Sequence, residues 1–242
     1  QFASSAASDV YKRQAYDSSN ADPEKDFWFY NSKRPSTGSF MTEDDGVALR
    51  HLMWCKYKKR ISRWFFWEGT YYNNFFGGQG ETNVFETALT FGSCCTPHPV
   101  LGETGWNHSN GDGVMFYPGT DSIYKSESYD INGPLASLRL KHWRRGIQDE
   151  DYMTLAAAID NQATDQIVHR MVPKVFWDYG VQNEADPSYV LADIAWTTEA
   201  DDWEQARKDL AAIIGDHIPR AGETQTFFTA DTADFINPER GQ

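Results

Sequence analysis

Two short aromatic runs on either side of a helical pattern decide the fold: Phe27-Trp28-Phe29-Tyr30-Asn31 and Arg63-Trp64-Phe65-Phe66-Trp67-Glu68. Each run is apolar on both of its faces, which is typical of strands buried on both sides in a parallel sheet. Between the runs, residues 43–59 carry apolar side chains at helical spacing, and Thr42 with its acidic neighbours predicts the N-cap. A strand, a helix and a second strand in this order predict a right-handed parallel βαβ unit.

Outward from this unit, a third aromatic run at 114–118 predicts a third strand, and most of the chain after it is helical in pattern. We predict helices over 136–160, with a bend near Gly146, over 164–176, and after Thr198. A short helix over 82–91 and a glycine-rich loop over 92–113 lie before the third strand. The fold class is α/β, and three strands are too few to close an eight-stranded barrel.

Composition excludes several classes of function. The 242 residues carry a formal net charge of −13, which disfavours nucleic acid and polybasic membrane attachment as partners. No apolar stretch is long enough to predict membrane insertion. The three Cys and six His lack metal-ligand spacing, so we predict no metal and no cofactor. An aromatic content of 15% with nine Trp is consistent with core packing and with stacking on carbohydrate.

The residues at the ends of the three strands are the candidates for binding a substrate, because ligands of α/β folds lie at the carboxyl ends of the strands. Aromatic rings cover the apolar face of a pyranose ring, and amide groups bond to its hydroxyl or acetamido groups. The same side chains also serve as packing and turn residues, and both interpretations stay open. The candidates are Tyr30, Asn31, Trp67, Glu68, Tyr71, Tyr72, Asn73, Asn74 and Tyr117.

Glu68 has three possible roles at the end of the second strand. It binds a sugar hydroxyl, or it transfers a proton with a pKa raised by its aromatic surroundings, or it forms an ion pair with an arginine such as Arg63. The adjacent carboxylates Asp44 and Asp45 are better explained by helix capping than by catalysis.

A series of motifs resembles the carboxyl half of the glycoside hydrolase family 123 catalytic domain, earlier catalogued as domain of unknown function 4091. The motifs occur in the order of that family over about half of the chain. They lie at 27–31, 50–54 (RHLMW), 64–67 (WFFW), 111–119 (GDGVMFYPG), 133–140 (GPLASLRL) and 144–152 (RRGIQDEDY).

The resemblance implies the C-terminal portion of a (β/α)₈ TIM barrel, about its last three strand–helix units, followed by C-terminal helices. It implies hydrolysis of β-linked N-acetylhexosaminides, of the N-acetylgalactosamine type, by a retaining, substrate-assisted mechanism. The family's adjacent Asp-Glu catalytic pair has no counterpart in these residues. The catalytic residues are therefore unknown, we expect them upstream, and the piece alone is expected to be inactive.

On this basis the chain divides into three parts: a non-native or disordered tail at 1–20, a partial TIM-barrel catalytic domain at 21–162, and a C-terminal helical extension at 163–242. The string from Ser4 to Gln14 resembles a translated sequencing-library adapter, as found in metagenomic data. We therefore expect the chain to be a fragment whose true beginning is absent. For the full-length protein we expect a secreted or periplasmic location, although the sequence contains no signal that assigns one.

The expected partner is a glycan or an amino-sugar-containing oligosaccharide. Two alternatives to the predicted enzyme stay open. One is a noncatalytic carbohydrate-binding protein on a degenerate barrel, and the other is a barrel hydrolase that uses conventional paired carboxylates, Glu68 among them.

Overall fold

A computed structural model describes residues 28–30, 34–42, 44–66, 69–72, 82–86, 111, 113–179 and 193–215. These residues form a mixed α/β structure with four α-helices and two sheets of two strands each. The elements are β1 (Trp28–Tyr30), α1 (Ala48–Lys58), β2 (Arg63–Phe65), β3 (Phe116–Pro118), β4 (Pro134–Ala136), α2 (Leu138–Ile159), α3 (Asn161–Met171) and α4 (Ala200–Gly215), with single 3₁₀ turns at Lys125–Glu127 and Phe176–Tyr179.

The strands β1 and β2 are parallel, and α1 connects them. Phe29 is paired with Trp64 at the centre of the two strands. The parallel βαβ unit predicted from the sequence is therefore confirmed. It forms because two aromatic runs flank one segment with helical periodicity.

The two faces of this strand pair differ in exposure among the side chains that the structure describes. The Phe29 ring contacts Trp64 and Phe176, with centroid distances of 5.0 and 4.3 Å. On the opposite face, Trp28 is 53% exposed and Phe65 is 46% exposed. The prediction of burial on both faces is wrong for Trp28 and Phe65, whereas Phe29 on the other face packs in the core with the described helices.

The third strand lies where the sequence places it, but its hydrogen-bonded partner was not predicted. β3 pairs with β4 in antiparallel register, with Tyr117 opposite Leu135. The chain that leaves β2 also runs antiparallel to the chain that enters β3, through a bridge between Thr70 and Val114. A parallel arrangement is therefore confirmed for β1 and β2, whereas the described partners of β3 are antiparallel.

The start of α1 differs from the prediction. The helix begins at Ala48, its N-cap position is Val47, and no side chain caps it. Thr42 is therefore not the N-cap. The carboxylate of Asp45 accepts a hydrogen bond from the Val47 amide at 3.0 Å, so the acidic pair shapes the turn before the helix.

The long helix α2 is continuous, so the bend predicted near Gly146 is wrong. Gly146 instead marks a close helix crossing, because a Cβ atom at this position would lie 2.6 Å from the carbonyl oxygen of Arg50 in α1. Ser137 caps the start of α2, where its hydroxyl accepts a hydrogen bond from the Leu140 amide at 3.1 Å.

The helices α3 and α4 occur close to the predicted positions, and they share a core with the βαβ unit. The core contains Trp54 of α1, Met153 of α2, Val168 of α3 and Leu210 of α4, and Phe29 of β1 lies at its edge. One hydrophobic core therefore joins elements on both sides of residue 162. Among the described helices, none combines the length and the apolarity needed to cross a bilayer.

Of the helix predicted at 82–91, residues 84–86 form a turn and residues from 87 onward lie outside the described ranges. The tail predicted at 1–20 also lies outside them, as does the loop predicted at 92–113 except for residues 111 and 113.

Candidate functional site

The structure describes three of the predicted binding side chains, Tyr71, Tyr72 and Tyr117, and all three are half-buried. The backbone of Tyr30 ends β1 as predicted. Its side chain lies outside the description, as do the remaining candidates: Asn31, Trp67, Glu68, Asn73 and Asn74.

Backbone hydrogen bonds hold the segment after β2 against the segment before β3. The amide of Tyr71 donates to the carbonyl oxygen of Gly113 at 2.8 Å. The amide of Met115 donates to the carbonyl oxygen of Gly69, also at 2.8 Å. These bonds place Tyr71 and Tyr72 beside β3, although at least 40 residues separate the two segments in the sequence.

A side-chain hydrogen bond completes the contact between the two segments. The Tyr72 hydroxyl donates to the carbonyl oxygen of Phe116 at 2.9 Å. Phe116 directly precedes Tyr117, so the two candidate tyrosines are brought to the same strand. We call this group of three candidate residues the tyrosine site (Tyr71, Tyr72 and Tyr117).

Two further aromatic residues, Phe85 and Tyr129, extend from the tyrosine site. The Phe85 ring lies 5.4 Å from the Tyr117 ring and 5.7 Å from the Tyr129 ring, centroid to centroid. Neither residue was among the candidates predicted from the sequence. Phe85 matched a helical pattern, and Tyr129 stands in a polar segment where no periodicity marks it.

Arg139, in the first turn of α2, fixes the loops around β3. Its guanidinium donates to the carbonyl oxygens of Phe40 at 2.6 Å and Val114 at 2.5 Å, and also to that of Gly111. Gly111 has φ +70°, and a Cβ atom there would lie 2.7 Å from the Arg139 guanidinium. A positive φ and this close approach both require glycine. Arg139 therefore positions the chain that leads to Tyr117.

The adjacent carboxylates Asp44 and Asp45 are held by their neighbours. Asp44 accepts hydrogen bonds from the backbone amide and the hydroxyl of Ser39, at 2.8 and 2.9 Å. Arg34 forms ion pairs with both carboxylates. Burial raises the pKa of Asp44, and the nearby Arg34 charge opposes that rise. These contacts give the pair a structural role in the loop before α1, whereas the predicted helix capping is wrong because no side chain caps this helix.

A buried histidine–cysteine contact within α1 was also missed. The Cys55 thiol lies 3.2 Å from the His51 ring nitrogens, and the Gly38 amide donates to His51 Nδ1 at 3.2 Å. Burial lowers the pKa of His51 to about 3 and raises the pKa of the Cys55 thiol. Both groups are therefore neutral and closed off from solvent, which does not suit a nucleophile and its base.

The charged motif at 144–152 forms an ion network rather than a site open to a substrate. Asp149 is fully buried, and its carboxylate accepts hydrogen bonds from Arg50 and Arg207 at 2.5 Å each and from the Trp54 indole at 3.0 Å. Glu204 adds ion pairs with Arg50 and Arg145 at 2.6 Å each. Each charge has a partner, so this Asp149 network joins α1, α2 and α4.

An open depression on α3, lined by Asn161, Gln162, Asp165, Gln166, His169 and Arg170, includes none of the predicted binding residues. Within the described ranges, no three His, Cys, Asp or Glu side chains converge in a way that suits a metal ion. Comparison with protein-family models and with curated proteins finds no match to this chain.

Proposed function

We propose that this chain is the carboxyl-terminal part of a (β/α)₈ glycoside hydrolase that acts on β-linked N-acetylhexosaminides. In this proposal, the tyrosine site forms one wall of the subsite for the sugar. The order of the six sequence motifs that resemble family 123 glycoside hydrolases is the first support for it.

The tyrosine site carries the proposal. It joins the end of β2 to β3 through the hydrogen bond from Tyr72 to Phe116, and its rings stay partly exposed. Half-buried tyrosines present both an apolar ring surface and a polar hydroxyl, as binding of a pyranose ring requires. The parallel β1–α1–β2 unit is also the repeating unit of a barrel.

The contacts of Arg139 link two of the motifs that carry the resemblance. Arg139 belongs to the motif at 133–140, and the carbonyl oxygens of Gly111 and Val114 belong to the motif at 111–119. This contact supports the proposal because it joins, in the folded chain, two of the stretches that carry the resemblance.

Catalysis is expected to come from outside these residues. In the proposed mechanism, the acetamido oxygen of the substrate attacks the anomeric carbon, one carboxylate orients the acetamido group, and a neighbouring acid protonates the leaving oxygen. We assign neither carboxylate to this chain, and the proposal places the Asp-Glu pair upstream. Glu68, which follows β2 in the sequence, remains a low-ranking candidate for the acid.

A second candidate function is noncatalytic carbohydrate binding. In the described residues, the carboxylates of Asp44 and Asp149 are each bound by arginine and other donors, as both candidate functions predict. Both candidate functions share the sugar-binding wall and differ only in the presence of an upstream acid.

The test uses an aryl N-acetyl-β-galactosaminide as both ligand and substrate. The 242-residue chain should bind it with negligible turnover, and Tyr117→Ala should weaken binding. Tyr179→Phe, which changes a tyrosine in the 3₁₀ turn at Phe176–Tyr179, serves as the matched control and should leave binding unchanged. Turnover by this chain at the rate of an ordinary enzyme would contradict the placement of the acid upstream, and absence of binding would contradict both candidate functions.

Joining the upstream segment of the natural gene to this chain separates the two functions. The hydrolase proposal predicts turnover of the aryl substrate by the joined protein. Binding without turnover in the joined protein would favour the noncatalytic alternative.

A further inference from the structure

Three aromatic rings form a continuous strip that begins at the tyrosine site and leads away from it. The strip consists of Tyr117, Phe85 and Tyr129, with Phe85 in contact with the other two at 5.4 and 5.7 Å. The outermost ring, Tyr129, is 62% exposed. A ligand that covered this ring would remove its apolar surface from water, which favours binding.

The loop between β3 and β4 holds Tyr129 in place. The carbonyl oxygen of Gly119 accepts hydrogen bonds from the amides of Tyr129 at 3.1 Å and Ile131 at 3.2 Å. A Cβ atom on Gly119 would overlap the carbonyl oxygens of Ile131 and Gly133, so the loop can close this tightly only with glycine. The position of Tyr129 is therefore set before a ligand arrives, which lowers the entropy cost of binding.

Side-chain hydrogen bonds also hold residues 120–124 of this loop in place. The Asp121 carboxylate accepts hydrogen bonds from the amides of Ile123 and Tyr124, both at 2.8 Å. The Thr120 hydroxyl donates to the carbonyl oxygen of Ile131 at 3.0 Å. These hydrogen bonds hold together the loop that carries Tyr129.

The charge around the strip decides between classes of ligand. In the described segments that carry Phe85 and Tyr129, at 82–86 and 119–133, there are four acidic residues and one basic residue: Glu86, Asp121, Glu127, Asp130 and Lys125. A negative surface repels sulfated or uronic-acid glycans and tolerates uncharged ones.

We propose that the strip is a second saccharide subsite, which takes the next rings of an uncharged, amino-sugar-containing oligosaccharide. The inference rests on the proposed function and deepens it, because it assigns particular residues to the sugars that follow the terminal one. The tyrosine site holds the terminal N-acetylhexosamine. The adjacent rings of the oligosaccharide stack on Phe85 and Tyr129.

The test compares two ligands by calorimetry on the 242-residue chain. One is methyl N-acetyl-β-galactosaminide, and the other is a tetrasaccharide in which the same terminal sugar is followed by three neutral hexoses. Stacking on two more rings should make the tetrasaccharide bind about tenfold more tightly than the monosaccharide. Tyr129→Ala and Phe85→Ala should each remove most of this gain and leave monosaccharide binding unchanged.

Two variants control for folding and for general loss of apolar surface. Tyr129→Phe keeps the ring and should keep the gain. Ile131→Ala removes an apolar side chain that is 47% exposed on the same loop, and it should also keep the gain. A circular-dichroism spectrum equal to that of the unchanged chain shows that each variant is folded.

The outcomes separate the two proposals. Equal affinity for the two ligands, or a gain that survives Tyr129→Ala, overturns the second subsite alone. Absence of binding to either ligand overturns the proposed function together with the subsite. Tighter binding of a sulfated tetrasaccharide, or dimerisation of the chain that Tyr129→Ala abolishes, would assign the strip to a different occupant and overturn the inference.

Discussion

The Asp149 network and the tyrosine site use polar groups in opposite ways. In the network, charged side chains are buried between helices, and the Asp149 carboxylate receives bonds from Arg50, Arg207 and Trp54. At the tyrosine site, the contacts are neutral, and the Tyr72 hydroxyl and the Tyr71 amide bond to backbone carbonyl oxygens. The rings there remain partly exposed.

The charged side chains of the Asp149 network already bind one another, whereas the tyrosine side chains keep part of their surface open to solvent. Buried, mutually satisfied charges specify how helices dock, because removing one partner leaves the others unpaired. Exposed rings held by neutral bonds leave surface available for a ligand. Substitutions in the network should therefore change stability, whereas substitutions at the tyrosine site should change binding.

Asp149→Asn is expected to have the largest effect. The substitution removes the charge that compensates Arg50 and Arg207, which are both buried. Loss of one partner of a buried ion network typically costs about 3–5 kcal/mol in the free energy of unfolding. Urea unfolding measures this loss. The exposed neighbour Asp151 provides the control, since Asp151→Asn should change stability by less than about 0.5 kcal/mol. Equal unfolding midpoints for the two variants would contradict the structural role of the network.

The second prediction concerns pH and His51. Burial lowers the pKa of His51 to about 3, from the ordinary value of 6.5 that it has in the unfolded chain. Between these values the unfolded chain binds a proton that the folded protein does not, so stability is complete above pH 6.5 and falls as the pH is lowered. The slope should be about 1.4 kcal/mol per pH unit.

His51→Gln isolates this contribution. Glutamine does not titrate, and its side-chain oxygen can accept the hydrogen bond that the Gly38 amide donates to His51. The difference in unfolding free energy between the protein and the variant, measured from pH 7 to pH 4, should shift in favour of the variant as the pH falls. A difference that does not change with pH would show that His51 titrates normally in the folded protein.

The third prediction breaks the contact between α1 and α2. Gly146→Ala places a methyl group 2.6 Å from the Arg50 carbonyl oxygen, so the two helices must move apart. The expected loss is about 1–3 kcal/mol, despite the higher helix propensity of alanine. Gly215→Ala is the control, because no atom lies within 4 Å of the added Cβ at the end of α4. Thermal unfolding compares the two, and an equal or higher melting temperature for Gly146→Ala would contradict the close packing.

Tyr72→Phe should have the smallest effect on stability. The substitution keeps the ring and removes the hydrogen bond to the carbonyl oxygen of Phe116, at a cost of about 1 kcal/mol. It should nevertheless weaken binding of an N-acetylhexosaminide, because the hydroxyl no longer holds the ring beside β3. A variant that loses several kcal/mol of stability with unchanged binding would place Tyr72 with the structural residues.

Local patterns in the sequence predicted the βαβ unit and the later helices. The apolar periodicity of residues 48–58 predicted the helix α1, and the aromatic runs on either side predicted the strands β1 and β2. The order strand, helix, strand then predicted that the two strands are parallel. The antiparallel pairing of β3 with β4 was not predictable in this way. The β4 segment is three residues long and contains Pro134, so it has no strand pattern of its own.

The part of the site that the sequence missed depends on contacts between distant residues. Gly146 and the acidic residues after it look like a break in a helix, but they serve a helix crossing and an ion network. Phe85 and Tyr129 belong to the proposed strip because the folded chain brings the Phe85 ring to both Tyr117 and Tyr129. No local spacing encodes such a contact, since it depends on how loops of more than ten residues close.

Titration of the ¹⁵N-labelled chain with methyl N-acetyl-β-galactosaminide, followed by NMR, tests most directly whether the tyrosine site binds an amino sugar. We expect the amide signals of Tyr71, Tyr72 and Tyr117 to shift with ligand concentration, while the indole signals of Trp54 and Trp203 in the helical core stay in place. Shifts confined to the helical core, or no shifts at millimolar ligand, would contradict binding at the tyrosine site.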